Sequence, residues 1–359
     1  MGFNEQTDRN GIIGSCRDLM RFQAMFCRHF AQTPIDRFGE PGAEAIAIAL
    51  RRYGAYRADV IRLNLAAAGA PLTAASVIAH WDMADFHLMS DAAPESVVGS
   101  EASVTVTLQN CPEWERWREY PNGLAIARLY YDGVYPAVAA ALDLEVVFDL
   151  SRLDLKSPWA LTLRTRGAAT GHAAALHTRI FDDAVASLAM TRQTAMNNGA
   201  LYYFCADEET KRFDMVGETA LRTHCQQLGI ERARRQKAAH LAAGWDLNLE
   251  TLMEHWDGQL VSLWRFQPGT LSKGAWHQDC TVCPYADVWG EFGRRGLDLG
   301  YLYDKEMHST YYQEYHPDMR VQFSSIKTRG DTACGFRVSM PSKMSPADPQ
   351  FLGYTGRDV

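Results

Sequence analysis

A chain that repeats itself cannot fold arbitrarily: whatever the repeated stretch builds, it builds twice. In this 359-residue chain "RFGEPGAEA", from Arg37, lies against "RFDMVGETA", from Arg212, 175 residues on. At that spacing Gly54 meets Gly229, Arg57 meets Arg232, Gly69 meets Gly244, and "HWD" at His80–Asp82 meets "HWD" at His255–Asp257. Of the 46 positions from Arg37 to Asp82, 14 are identical, where average residue usage gives about 3. The pairing resumes at a spacing of 172. Cys111-Pro112 meets Cys283-Pro284, Trp117 meets Trp289, and Tyr131-Asp132 meets Tyr303-Asp304. Beyond these, Phe148 meets Phe323 and Arg164 meets Arg337. Small slips between elements are loop insertions, and the unit is far too long for a solenoid repeat.

The chain therefore reads as two homologous halves, 37–167 and 212–342. A helical segment (1–36), a helical connector (168–211) and a C-terminal arm (343–359) flank them. Each half has the same order. Two helices come first, over about Gly217–Ala243 and Leu249–Arg265 in the second half, with Gly244 as the stop for the first. An extended stretch follows, at 102–109 and 274–282, and the alternation of Val104, Val106 and Leu108 marks it as a strand. A short helix begins after Cys-Pro, a longer one carries Tyr-Asp, and two strands close the unit. Helices followed by strands predict an α+β fold, each half packing helices on a small antiparallel sheet. The flanking segments predict helices over Cys16–Phe30 and about Ile180–Met196.

Composition narrows the function class. The formal charge is −7 with no basic stripe, which argues against a nucleic-acid partner. The first residues form no secretory signal, and no apolar run approaches a membrane span. Eight cysteines without an export signal point to reduced thiols in a cytoplasm.

The stretch "HQDCTVCPYADVWG", from His277, concentrates the candidate chemistry. As a zinc site, His277, Cys280 and Cys283 supply three ligands, with Cys334 or His308 as a fourth. A closed site wants two short-spaced pairs, and the second is missing. His277 and Cys280 also have no like residue in the first half, so no metal is expected. As a redox C-x-x-C, the local strand-then-helix order fits, but the chain lacks the βαβ pattern around it. The third reading places Cys283 at a helix N-cap with Pro284 at the first helical position. There the helix dipole favours the thiolate.

The second half resembles the L-2-amino-thiazoline-4-carboxylic acid hydrolase family. The resemblance runs through Cys283-Pro284, Tyr303-Asp304, His316-Pro317, "VQF" at Val321–Phe323 and "GDTACGFR" at Gly330–Arg337. It covers about 217–340 well and 42–165 weakly. Tyr303 stands where family members often carry cysteine. The resemblance implies hydrolysis of a small cyclic amidine with no cofactor. Cys283 and Cys334 are its thiol candidates and Asp304 its base or amidinium partner. Arg337 would bind a substrate carboxylate, with His255, His316 and Tyr303 around the substrate. Each has a structural alternative: Asp304 recurs as Asp132, Arg337 recurs as Arg164, and His316-Pro317 can simply end a helix. Cys334 aligns with Leu161, and "HP" is absent from the first half, so the second half is the expected working half. The expected partner is a small-molecule substrate, with a homo-oligomer left open and neither nucleic acid nor membrane expected. The alternatives are a non-catalytic small-molecule-binding or subunit protein on the same fold, or a biosynthetic lyase, isomerase or cyclase.

Overall fold

The computed structural model describes residues 8–167, 173–257 and 263–349. It begins with α1 (Arg9–Phe26), which widens into a π-helical turn over Cys27–Gln32 and continues as α2 (Thr33–Phe38). The long α3 (Glu40–Ala68) follows, then the short α4 (Ala74–Ala79) and α5 (Ala84–Ala92). Strands β1 (Val97–Ser100) and β2 (Ser103–Leu108) lead to α6 (Pro112–Arg118) and α7 (Gly123–Ala141). After them come β3 (Leu144–Phe148), β4 (Trp159–Thr165) and β5 (Ala174–Ala175).

The rest of the chain opens with α8 (Ala184–Ala242) and α9 (Leu249–Glu254). Strands β6 (Arg265–Phe266), β7 (Thr270–Leu271) and β8 (Ala275–Val282) precede α10 (Pro284–Glu291) and α11 (Gly293–Tyr315). Strands β9 (Arg320–Phe323) and β10 (Cys334–Ser339) close it. The fold is α+β with two antiparallel sheets. One runs β3-β4-β2-β1-β5; the other runs β6-β8-β10-β9, with β7 also paired to β8. Among the described residues no helix is long and apolar enough to cross a membrane.

Features 175 residues apart share local geometry. Gly39, between α2 and α3, has φ 61° and ψ −135°; Asp214, inside α8, has φ 49° and ψ −130° and breaks that helix at the matching point. Gly69 and Gly244 both turn left-handed, at φ 61° and 75°. Beyond each, the next N–H reaches back five residues, from Ala70 to the Leu65 carbonyl and from Trp245 to the His240 carbonyl. That closes the helix end as a glycine stop does. Thr73 caps α4 and Asn248 caps α9, each through a side-chain oxygen.

Two such pairs touch each other. Cys16 Sγ lies 3.2 Å from Thr191 Oγ1, and the rings of Phe38 and Phe213 stack at 3.9 Å. These contacts bring the two stretches side by side at matching positions. The N-terminal segment and the connector, read from sequence as unrelated flanks, thus hold equivalent helices: α1–α2, and α8 up to Asp214.

Other sequence expectations shift. The helix expected over Leu249–Arg265 ends at Glu254, Arg265 starts a strand, and 258–262 lies outside the described residues. The flanking helices start at Arg9 and Ala184 rather than at Cys16 and Ile180. The C-terminal arm is docked at its start, where Asp348 accepts a hydrogen bond from Ser272 Oγ at 2.7 Å.

Packing also resets the register between α7 and α11. A Cβ on Gly54 would strike the Val134 carbonyl, and one on Gly229 the Met307 carbonyl. A Cβ on Gly123 would strike the Trp117 carbonyl, and one on Gly296 the Trp289 carbonyl. Both comparisons set α11 against α7 at a spacing of 173, not 172. Tyr303 therefore stands where Tyr130 stands, and Asp304 where Tyr131 stands. Asp132 is exposed and is no counterpart of Asp304.

Candidate functional site

The end of β8 delivers Cys283 to the start of α10. The residue is extended (φ −134°), Pro284 takes the first helical position, and the thiol accepts a hydrogen bond from the Ala286 N–H at 3.5 Å. On α11, Tyr303, Asp304, Met307, His308 and Tyr312 recur at helical spacing and share one face. Across from them, Cys280 on β8 pairs with Cys334 on β10. Alternate strand residues point the same way, so Trp276 and Cys280 join Cys334 and Phe336 on the helix side of the sheet. Arg232 comes from α8 and Phe22 from α1.

These side chains, with Trp256, Trp264, Phe266 and Tyr285, enclose a cavity of about 60 Å³. Its walls are mostly aromatic, and its polar groups form two poles. At one pole Asp304 accepts a hydrogen bond from Thr328 Oγ1 at 3.2 Å and lies 3.9 Å from His308 Nε2. Burial outweighs that hydrogen bond and raises the Asp304 carboxyl to about 7. Burial, then the charge of Arg232, lowers His308 to about 3. Near neutral pH the imidazole is uncharged and the carboxyl is poised to take or give a proton.

At the other pole Arg232 pairs with Asp257, Nη2 to Oδ1 at 2.9 Å and Nε to Oδ2 at 3.2 Å. Its guanidinium lies 4.8 Å from the centre of the Phe22 ring. The same two residues, Arg232 and Phe22, also line a neighbouring cavity of about 310 Å³ that holds His255 and Asp257.

Of the residues expected at a site, Cys283, Asp304, Cys334 and Tyr303 face this cavity. The N-cap geometry of Cys283 matches the expectation, but the activated thiolate does not follow. Burial first, and the neighbouring Asp304 second, push the thiol up to about 12, overriding the helix N-terminus. Cys280 and Cys334 are pushed up by burial as well.

Arg337 does not reach the cavity. It lies between buried Phe336 and Val338 on β10, so it points to the other face of the sheet, where it pairs with Asp279 at 2.8 Å. His255 stacks on Trp245 at 3.7 Å and lines the neighbouring cavity. His316 ends α11, where its Nδ1 accepts from the Asp318 N–H. The zinc reading fails on the same alternation, because His277 and Cys280 face opposite sides of β8. Among the described residues no His, Cys, Asp and Glu group could hold a metal ion. Sequence reasoning gave no site role to Arg232, Phe22 or the tryptophans. His308, one helical turn beyond Asp304, is the legible signal, though the sequence offers it only as a fourth zinc ligand.

The first half holds other residues at the matching places. In the sheets Leu108 pairs with Trp159 and Cys280 with Cys334. Leu108 and Cys280 each lie three residues before Cys-Pro, so Cys334 occupies the place of Trp159 rather than Leu161. Phe148 facing Leu161, and Phe323 facing Phe336, give the same register. Arg337 then matches Thr162, not Arg164. In the first half Tyr131 packs 4.9 Å from Trp159 and 5.3 Å from Tyr135. In the second half those three places hold Asp304, Cys334 and His308. Smaller side chains stand where the first half has three large aromatic ones, and the cavity lies at those places. Comparison of the chain with protein-family models, with curated proteins and with solved structures finds no match.

Proposed function

We propose that the protein hydrolyses a small cyclic amidine in this cavity, in the manner of 2-amino-thiazoline-4-carboxylate ring opening, with Asp304 as the proton-transfer group. The observation that carries the reading is the convergence of Asp304, Cys283, Cys334 and His308 on one aromatic-walled space. A planar amidinium fits among such rings, and Asp304 is the carboxylate that meets it.

Water adds to the amidinium carbon between nitrogen and sulfur as one of its protons passes to Asp304. The carbon–sulfur bond then breaks as the added oxygen becomes the urea carbonyl, Asp304 returns its proton to the departing sulfur, and the remaining hydroxyl proton leaves to solvent. A carboxyl titrating near 7 suits both transfers. Cys283 enters as a neutral thiol that caps α10 and walls the cavity, not as the attacking group. All eight cysteines are free, which suits a reducing cytoplasm.

Incubation with 2-amino-thiazoline-4-carboxylate and chromatographic measurement of the ring-opened product tests this. Asp304→Asn should lose roughly a hundredfold or more in rate, while Cys283→Ser keeps turnover. Loss of turnover in Cys283→Ser with retained binding would restore the thiol as nucleophile. The raised thiols also favour a second reading, a binding protein without chemistry. Quenching of the cavity tryptophans by the amidine without product would establish that reading and refute hydrolysis.

A further inference from the structure

In the first half each guanidinium nitrogen of Arg57 has an oxygen partner. Asp82 takes its Nε and Nη2, and Nη1 donates to the Tyr130 hydroxyl at 3.1 Å. The second half keeps both residues, as Arg232 and Tyr303, and keeps the carboxylate, as Asp257. It does not keep the bond between them. Arg232 Nη1 points to the thioether of Met307 at 3.3 Å, a weak acceptor. The Tyr303 hydroxyl is buried with no hydrogen-bond partner among the described residues, in a side chain only 1% exposed.

Burying the Arg232 Nη1 donor without an oxygen acceptor costs free energy that the first half avoids through the Tyr130 hydroxyl, whose own proton points to the Met83 thioether at 3.9 Å. Both Arg232 and Tyr303 line the cavity, and the Arg232 charge acts on the Tyr303 phenol. Asp304 faces the same cavity: its charge acts on the Tyr303 phenol, and the Arg232 charge acts on His308 beside Asp304.

We infer that Arg232 Nη1 and the Tyr303 hydroxyl form an anion subsite that takes a carboxylate carried by the cavity's ligand. The two donors suit the two oxygens of a carboxylate, and the aromatic walls accept a planar ring attached to it. This inference deepens the proposed function and rests on it for the other end of the ligand. With Asp304 and the Arg232–Tyr303 pair both lining the cavity, the substrate class is a small ring bearing an amidinium and a carboxylate. Arg232, rather than Arg337, then selects the acid. In the first half the same pair is closed on itself and offers no such subsite.

Three probes separate the parts, read by quenching of intrinsic tryptophan fluorescence, since Trp256, Trp264 and Trp276 line the cavity. Pyrrole-2-carboxylate has a five-membered ring and a carboxylate but no amidine. 2-Aminothiazoline has the amidine but no carboxylate. 2-Amino-thiazoline-4-carboxylate has both. Tyr303→Phe removes only an unbonded hydroxyl and should fold normally. It should weaken both carboxylate probes about tenfold, the loss of one hydrogen bond to a charged group, and leave 2-aminothiazoline unchanged. Arg232→Lys, which keeps a cation beside Asp257, should weaken the same two probes. Tyr130→Phe, the matching change in the first half, should alter none. Unchanged pyrrole-2-carboxylate affinity in Tyr303→Phe, or no binding of that probe to the unmodified protein, overturns the subsite. If pyrrole-2-carboxylate binds in a Tyr303-dependent way and 2-aminothiazoline does not bind, the subsite stands and the amidine reading fails.

Discussion

Glu113 is a carboxyl group with nowhere to put a charge. It sits in the first turn of α6, 3% exposed. Oε1 meets the Tyr131 hydroxyl at 3.5 Å, and Oε2 has no hydrogen-bond partner among the described residues. Burial, then the nearby charge of Asp85, raises it from 4.5 to about 8. The N-terminus of α6 favours a negative charge, but by no more than about 2 kcal/mol, and it loses to desolvation. The folded protein thus holds a proton that the unfolded chain releases above pH 4.5. A raised acid contributes stability that is fully present below its unfolded value and drains away as pH climbs to its folded value.

From 4.5 to pH 7 is 2.5 units of that interval, which at ~1.4 kcal/mol per unit amounts to about 3 kcal/mol. Glu113→Gln removes the ionisation and keeps the shape. It should therefore be about 3 kcal/mol more stable than the unmodified protein at pH 7, and within about 1 kcal/mol of it at pH 5. Urea unfolding of both proteins at the two pH values measures this, and the other carboxyl groups cancel in the difference. An equal stability difference at pH 5 and pH 7 would rule this out, because only an ionisation specific to Glu113 makes the gap grow with pH.

If Asp304 accepts the proton from water, kcat/KM should rise about tenfold per pH unit below about 7 and level off above it, and Asp304→Asn should abolish that limb. Cys334→Trp, which installs the residue at the matching place in the first half, should fill the cavity and abolish quenching by all three probes; calorimetry should show a stability change of about 1–3 kcal/mol, typical of overpacking. Asp82→Ala strands Arg57, a fully buried cation, and should cost about 3–5 kcal/mol in urea unfolding. Asp257→Ala should cost less in the same assay, because Asp257 is 26% exposed and water reaches the pair. At pH 7 Cys283 should resist iodoacetamide, and Asp304→Asn should speed its alkylation by removing a neighbouring negative charge.

What depends on near neighbours can be read along the chain. Valines alternating along β2, Pro284 after an N-capping Cys283, and the glycines that end helices at 69 and 244 are local signals, each complete within a few residues. Repetition at 175 residues likewise needs only a comparison of the chain with itself. What the sequence leaves open are relations between distant segments. Identical letters placed Asp304 opposite Asp132, yet close helix crossings at Gly54 and Gly229 set the register one residue away and give Asp304 the place of Tyr131. Arg337 looked like a carboxylate binder until the pairing of β10 with β8 turned it to the far side of the sheet. Phe22, outside both repeats, reaches the cavity because α1 packs against α8. The hollow itself is in no motif. It lies where three aromatic side chains of one half correspond to Asp304, His308 and Cys334 in the other, and only tertiary packing brings those three positions to one place.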